Sequence, residues 1–128
     1  MTIPIVTTLY AGILGLLAMT LAGMVGRARA ATGISFGDEG NPEVLVAMRR
    51  HANFVEFVPL VLILLALLEI SGVSPTAIHA LGAVLVLSRV SHTIGFQPGS
   101  SSPLRGLGAV GTSLVLVVSS VWAIVAYF

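Results

Sequence analysis

Four apolar runs of membrane-spanning length occupy nearly all of the 128 residues. A helix needs about 20 residues to cross the hydrocarbon core of a bilayer, so four spans leave room for little besides short connections. The composition agrees, with 56% of residues hydrophobic and 9% charged, against about a quarter charged in soluble domains. The expected fold is an all-α integral membrane protein, a four-transmembrane-helix bundle forming one domain over residues 1–128, with no soluble domain to carry a separate function.

The first span is expected at about 4–25. It has no ionisable group except Tyr10, and Gly12, Gly15, Ala18 and Ala22 form a small-residue stripe suited to close helix packing in lipid. Small residues near 28–31 mimic a signal-peptide cleavage site, but the segment lacks a basic leader and is too long for a signal core, so it reads as a retained span. A polar loop over 26–41 follows. Asn41-Pro42-Glu43, Ser74-Pro75 and Ser102-Pro103 each place a capping residue before a proline, which suits a helix start. They open helices at about 42–70, 75–95 and 103–127.

All six basic residues are arginine, and there is no cysteine. No disulfide, thiolate nucleophile or cysteine metal site is available, so any thiol chemistry must use a thiol supplied by a substrate. A net charge of +1 argues against nucleic acid as a partner. Arg27, Arg29, Arg49, Arg50 and Arg105 flank the first and third loops, whereas the termini and the 71–75 turn carry no basic residue. The excess of positive charge on cytoplasmic loops then places both termini on the non-cytoplasmic side.

The stretch RRHANFVEFVP, residues 49–59, puts costly groups at the head of an apolar helix. An intramembrane Arg or Asp costs about 2.5–3.5 kcal/mol even on the lenient insertion scale, which makes a functional site the default reading. At about 100° per residue, Arg49, Asn53 and Glu56 fall within an arc of about 60°, while Arg50 and His51 point elsewhere and read as incidental. Pro59 cannot donate to the carbonyl of Val55 and loosens the helix below this face. The competing structural reading pairs Arg49 with Glu56 and has Asn53 bridge to a neighbouring helix.

Arg89, His92 and Phe96 share a face of the third helix at the same membrane level, and Arg105 opens the fourth. Surplus arginines without acidic partners point to an anionic ligand, since guanidinium binds carboxylates in a two-pronged manner. The structural alternatives are headgroup contacts for Arg89 and Arg105 and a neutral interhelical hydrogen bond for His92; a metal role would need more ligands than this level supplies, and none is expected. Glu69 is expected to reach water at the outer end of the second helix, His79 to be interfacial, and Trp122 and Tyr127 to sit in an aromatic belt.

The pattern Arg49-x-x-x-Asn53-x-x-Glu56-x-x-Pro59 resembles the signature of the membrane-associated proteins in eicosanoid and glutathione metabolism, the MAPEG family. The Asn-Pro-Glu entry to helix two, the run Arg89-x-x-His92-x-x-Gly95 and Leu104-Arg105 extend the resemblance along the chain. It implies a microsomal glutathione S-transferase-like homotrimer in membrane lipid, with glutathione as co-substrate bound between protomers at the cytoplasmic side. Arg49, Asn53 and Glu56 would hold its polar ends, with Arg89 and His92 also lining the site, and Arg105 would be the catalytic group that stabilises the thiolate. One of Arg27 or Arg29 would match a basic residue after helix one that faces the site. The thiolate would attack a lipophilic small-molecule substrate arriving from the bilayer. Family enzymes that make leukotriene carry tyrosines where this sequence has His92 and Phe96, so phenolic hydrogen bonds are absent at those positions.

Three functions therefore compete. They are a glutathione-dependent transferase or peroxidase acting on lipophilic electrophiles, a non-catalytic lipid- or glutathione-binding protein of the same fold, and a small four-helix multidrug/proton exchanger. The last needs a titratable carboxylate near the bilayer middle; the first helix has none, and Glu56 is shadowed by Arg49.

Overall fold

The computed structural model describes residues 3–128. Four helices follow in order, α1 (Ile5–Thr32), α2 (Pro42–Ile70), α3 (Pro75–Gly95) and α4 (Pro103–Val125). All four are long and apolar enough to span a membrane. Helices α2 and α3 match the sequence expectation, whereas α1 runs two turns past it and the first loop shrinks to residues 33–41. The residues in question, Gly26 to Thr32, are rich in Ala and Arg, which are good helix formers. Their polarity marks an exit from hydrocarbon, not an end of the helix. Gly33 supplies the stop, adopting the left-handed conformation at φ 71° and donating its N–H to the carbonyl of Arg29.

The three later helices begin as the capping pairs predict. Asn41 Oδ1 accepts from the N–H groups of Glu43 and Val44, Ser74 from Ala77, and Ser102 from Leu104, each with proline at the first helical position. Helix α1 has no such side-chain cap of its own. Glu69, at the far end of α2, supplies one: its carboxylate accepts from the N–H groups of Val6 and Thr7, each at 2.8 Å, and from the Thr7 hydroxyl at 2.7 Å. Glu69 is therefore buried, at 8% exposure, and does not reach water as expected from sequence. An anion at a helix N-terminus meets the positive end of the helix dipole, which stabilises both. We expect Glu69→Ala to lower stability by about 1–3 kcal/mol, the cost of orphaned buried donors. A detergent unfolding midpoint equal to wild type would refute this role.

Helix α1 packs on α2 and α3, α4 packs on α3 and α2, and α1 and α4 occupy opposite corners without sharing a packed face. The core seam is formed by Leu14, Leu21, Phe54, Val58, Val61, Leu65, Leu85 and Val115. Lipid is as apolar as leucine, so close van der Waals fit rather than water exclusion must hold such helices together. Small residues provide that fit on α3 and α4. A Cβ added at Gly108 would strike the backbone of Ser88 and His92, and one at Gly95 would strike the backbone of Leu104 and Arg105. The α1 stripe expected to serve this purpose does not do so: Gly12 and Gly15 have open space around them, and α1 instead lays the Tyr10 ring against Gly82. Tyr10 also donates its hydroxyl to the carbonyl of His79 and lies 3.0 Å from that residue's Nδ1. The interfacial histidine is thus tied to α1.

Candidate functional site

The antiparallel alternation of the helices brings all six arginines to one end of the bundle, with Glu69, Tyr10 and His79 at the other. The arginine end contains two connected clusters and one outward face.

The inner cluster centres on Arg89, which is 1% exposed. Its Nη1 donates to Asn53 Oδ1 at 2.9 Å and approaches the Thr112 hydroxyl at 3.5 Å, Nη2 lies 3.4 Å from His92 Nδ1, and the guanidinium carbon sits 5.6 Å from the centre of the Phe54 ring. Arg89 does not reach a headgroup; it ties α2, α3 and α4 together. Its Nε has no partner among the described residues. Beside it lies a cavity of about 50 Å³ lined by Asn53, Phe57, Arg89, Ala109, Thr112 and Ser113, large enough for a water-sized group. Asn53 performs the interhelical bridging anticipated for it, and its partner is an arginine.

The second cluster closes the α3–α4 connection. Arg50, set aside as incidental by helical phase, is half-buried and donates Nε–H to the carbonyl of Phe96 at 2.8 Å, with a second bond from Nη2 to the same oxygen. Phe96 is the C-cap of α3, so a cation here meets the negative end of the helix dipole as well as an orphaned carbonyl. The Phe96 ring meets His92 edge to face at 5.4 Å, and the Arg105 guanidinium carbon lies 3.9 Å from its centre. Sequence reasoning missed Arg50 because its partner is 46 residues away and is a main-chain atom, which leaves no trace in residue spacing.

The outward face carries Arg49 and Glu56, both exposed. The buried stripe of α2 runs through Phe54, Val58, Val61 and Leu65, and Glu56 lies about 200° from Phe54 and from Val58, on the opposite side of the helix. Neither Arg49 nor Glu56 makes a side-chain hydrogen bond among the described residues, so the two do not pair as the structural reading supposed. Arg29 is committed to the first loop, donating to the carbonyls of Ile34 and Gly37 and lying 3.4 Å from Met48 Sδ. Arg27 is exposed and lines a groove with Glu43. One chain thus joins Asn53, Arg89 and His92, links His92 through Phe96 to Arg105, and leaves Arg49 and Glu56 unmatched on its surface.

Four apolar helices with their arginines gathered at one end define an integral multi-pass membrane protein with a polar site at one membrane level. The chain belongs to the MAPEG family, whose family model matches residues 7–125. It is similar to the inner membrane protein YecN of Escherichia coli strain K12, 33% identical over 119 residues that cover 91% of each chain. The protein of the same name from E. coli O6:H1 shows the same identity and coverage.

Proposed function

We propose that the protein is a membrane-bound glutathione-dependent transferase or peroxidase acting on lipophilic electrophiles, with glutathione held between the protomers of a homotrimer at the cytoplasmic side. The observation that carries this reading is the outward face of α2. Arg49 and Glu56 are exposed and, among the described residues, unpaired on a helix long and apolar enough to span hydrocarbon, and Glu56 lies three residues, about 4.5 Å, deeper than Asn53. Charges at that depth cost several kcal/mol each unless covered. A second copy of the chain covers them, and a zwitterionic tripeptide with two carboxylates and one ammonium neutralises them. Glu56 takes the γ-glutamyl ammonium, Arg49 and Asn53 take a carboxylate, and Arg105, with no in-chain hydrogen bond among the described residues, faces the thiol. The gathering of arginines at one end supports a cytoplasmic site and non-cytoplasmic termini.

The chemistry is nucleophilic substitution. The thiol proton leaves to water, the thiolate sulfur forms a bond to the electrophilic carbon, and the leaving group departs with the bonding pair. A guanidinium beside the sulfur favours the thiolate and raises its population at neutral pH. Membership of the MAPEG family favours this reading over the exchanger. Phe96, which has no hydroxyl to offer a ligand, favours the second reading, binding of glutathione or lipid without turnover.

The test is glutathione binding by, and conjugation of an aryl halide with, the purified protein in detergent. Wild type is expected to bind glutathione and turn over, and Glu56→Ala to weaken glutathione by about tenfold or more, the loss of one charged contact worth about 1.4 kcal/mol. Binding without turnover would establish the second reading, and absence of both would end the proposal.

A further inference from the structure

Arg50 lies outside the Arg49, Asn53 and Glu56 face, yet its guanidinium makes the longest-range side-chain connection at the arginine end of the bundle. It bridges from α2 to Phe96, the C-cap of α3, with both bonds directed to one main-chain oxygen. That residue's ring is the only in-chain platform for the Arg105 guanidinium among the described residues, at 3.9 Å. We infer that Arg50 is a positioning residue: by clamping the Phe96 carbonyl it fixes the Phe96 ring, and the ring fixes where the Arg105 guanidinium stands.

The physical reasons lie in the neighbouring geometry. Arg105 is exposed in the first turn of α4, and a long side chain there loses rotamer entropy on being held. No carboxylate or carbonyl in the chain holds it among the described residues; the face of an aromatic ring does, through attraction of a cation to the ring quadrupole. The ring position depends on the backbone at Phe96, where α3 ends and the connection FQPGSSS to α4 begins. This connection contains Pro98 and Gly99 and has one arginine clamp. His92 supports the ring from its edge, at 5.4 Å. The arrangement also leaves the guanidinium's N–H groups available at the ring face, since stacking engages its π surface and not its donors.

The consequence for catalysis rests on the proposed function. A guanidinium held in place stabilises a thiolate without reorganising as the charge develops, whereas a freely rotating one does so only part of the time. Arg50 then acts on turnover more than on glutathione affinity, and only through Arg105.

Two measurements test this. The first requires no turnover: in protein labelled with ¹⁵N-arginine, the Arg105 Nε–H signal, assigned by its disappearance in Arg105→Lys, is expected to be shifted upfield by the Phe96 ring current. Arg50→Gln is expected to lose most of that shift, and Phe96→Leu all of it; an unchanged shift in Arg50→Gln overturns the inference. The second is a double-mutant comparison of glutathione conjugation. Arg50→Gln is expected to lower kcat about tenfold with KM for glutathione within about threefold, and to have no further effect in an Arg105→Ala background. An equal loss in both backgrounds would mean that Arg50 acts on the fold alone and would overturn the inference. Should Arg50→Gln not fold, Phe96→Leu in the two backgrounds gives the same comparison, because it removes the ring and leaves the clamped carbonyl. If wild type does not handle glutathione, the proposed function fails, while the ring-current measurement still decides whether Arg50 positions Arg105.

Discussion

Arg105→Ala is expected to lower kcat for glutathione conjugation by about 10²–10³, the loss typical of one preorganised group facing developing charge, while glutathione binding changes by less than about threefold. The separation follows from where the contacts are made. Arg49, Asn53 and Glu56 lie on α2 and hold the charged ends of the tripeptide in the proposed site, whereas Arg105 projects from α4 and makes its in-chain contact with a ring face. Arg105→Lys is expected to recover part of the rate, because an ammonium keeps the charge but lacks the planar surface that stacks on Phe96. Stopped-flow conjugation at saturating glutathione, with binding measured separately by calorimetry, distinguishes the two effects. A variant that binds poorly yet turns over at full rate when saturated would assign Arg105 to ligand anchoring instead.

The largest expected effect on stability comes from a residue with no side chain. Gly108→Val places branched carbon against the Ser88 carbonyl and the His92 main-chain nitrogen, neither of which can move without shifting α3. Overpacking of this kind costs about 1–3 kcal/mol even in cores where side chains can give way, and here the obstacle is backbone. Gly108→Ala is the more informative substitution, because two effects oppose one another. Alanine gains about 0.8–1.0 kcal/mol of helix propensity over glycine, and the collision outweighs it, so a net loss is expected. Gly106→Ala, two residues earlier with open space around its Cβ, is expected to show the gain alone. Unfolding midpoints in one detergent, followed by helical circular dichroism, should therefore move in opposite directions for the two alanine variants. Midpoints that move together would mean that α3 and α4 do not approach as closely at Gly108 as described.

Helix identity and number were legible because each is a local property. Hydrophobic length marked the spans, and Asn41, Ser74 and Ser102 before proline marked three starts to the residue. The end of α1 is not legible from polarity, which changes at Gly26 while helix propensity continues through Arg27 and Arg29 to Gly33. The packing surfaces are hidden from sequence for a different reason. A small-residue stripe is visible on α1, yet only the neighbouring backbone decides which glycines are in contact, and those include Gly95 on α3 and Gly108 on α4.

The polar residues divide in the same way. Helical phase placed Arg49, Asn53 and Glu56 on one face, and the shared face of Arg89, His92 and Phe96 was equally readable, because both groupings depend only on rotation per residue. Which of these residues turn inward depended on the packing of α2 against α3 and α4. That packing drew Arg89 into a buried network with Asn53 and left Glu56 outside. Glu69 as the cap of α1 and Arg50 as the clamp on Phe96 were beyond sequence reasoning, since each side chain meets main-chain groups of a distant segment. Hydrophobic length and residue spacing were enough to specify a four-span membrane protein and the family motif it carries. The tertiary structure decided which charges are satisfied within one chain and which remain on its surface, because hydrogen bonds to backbone are specified by where helices end and meet, not by the identity of the residues that accept them.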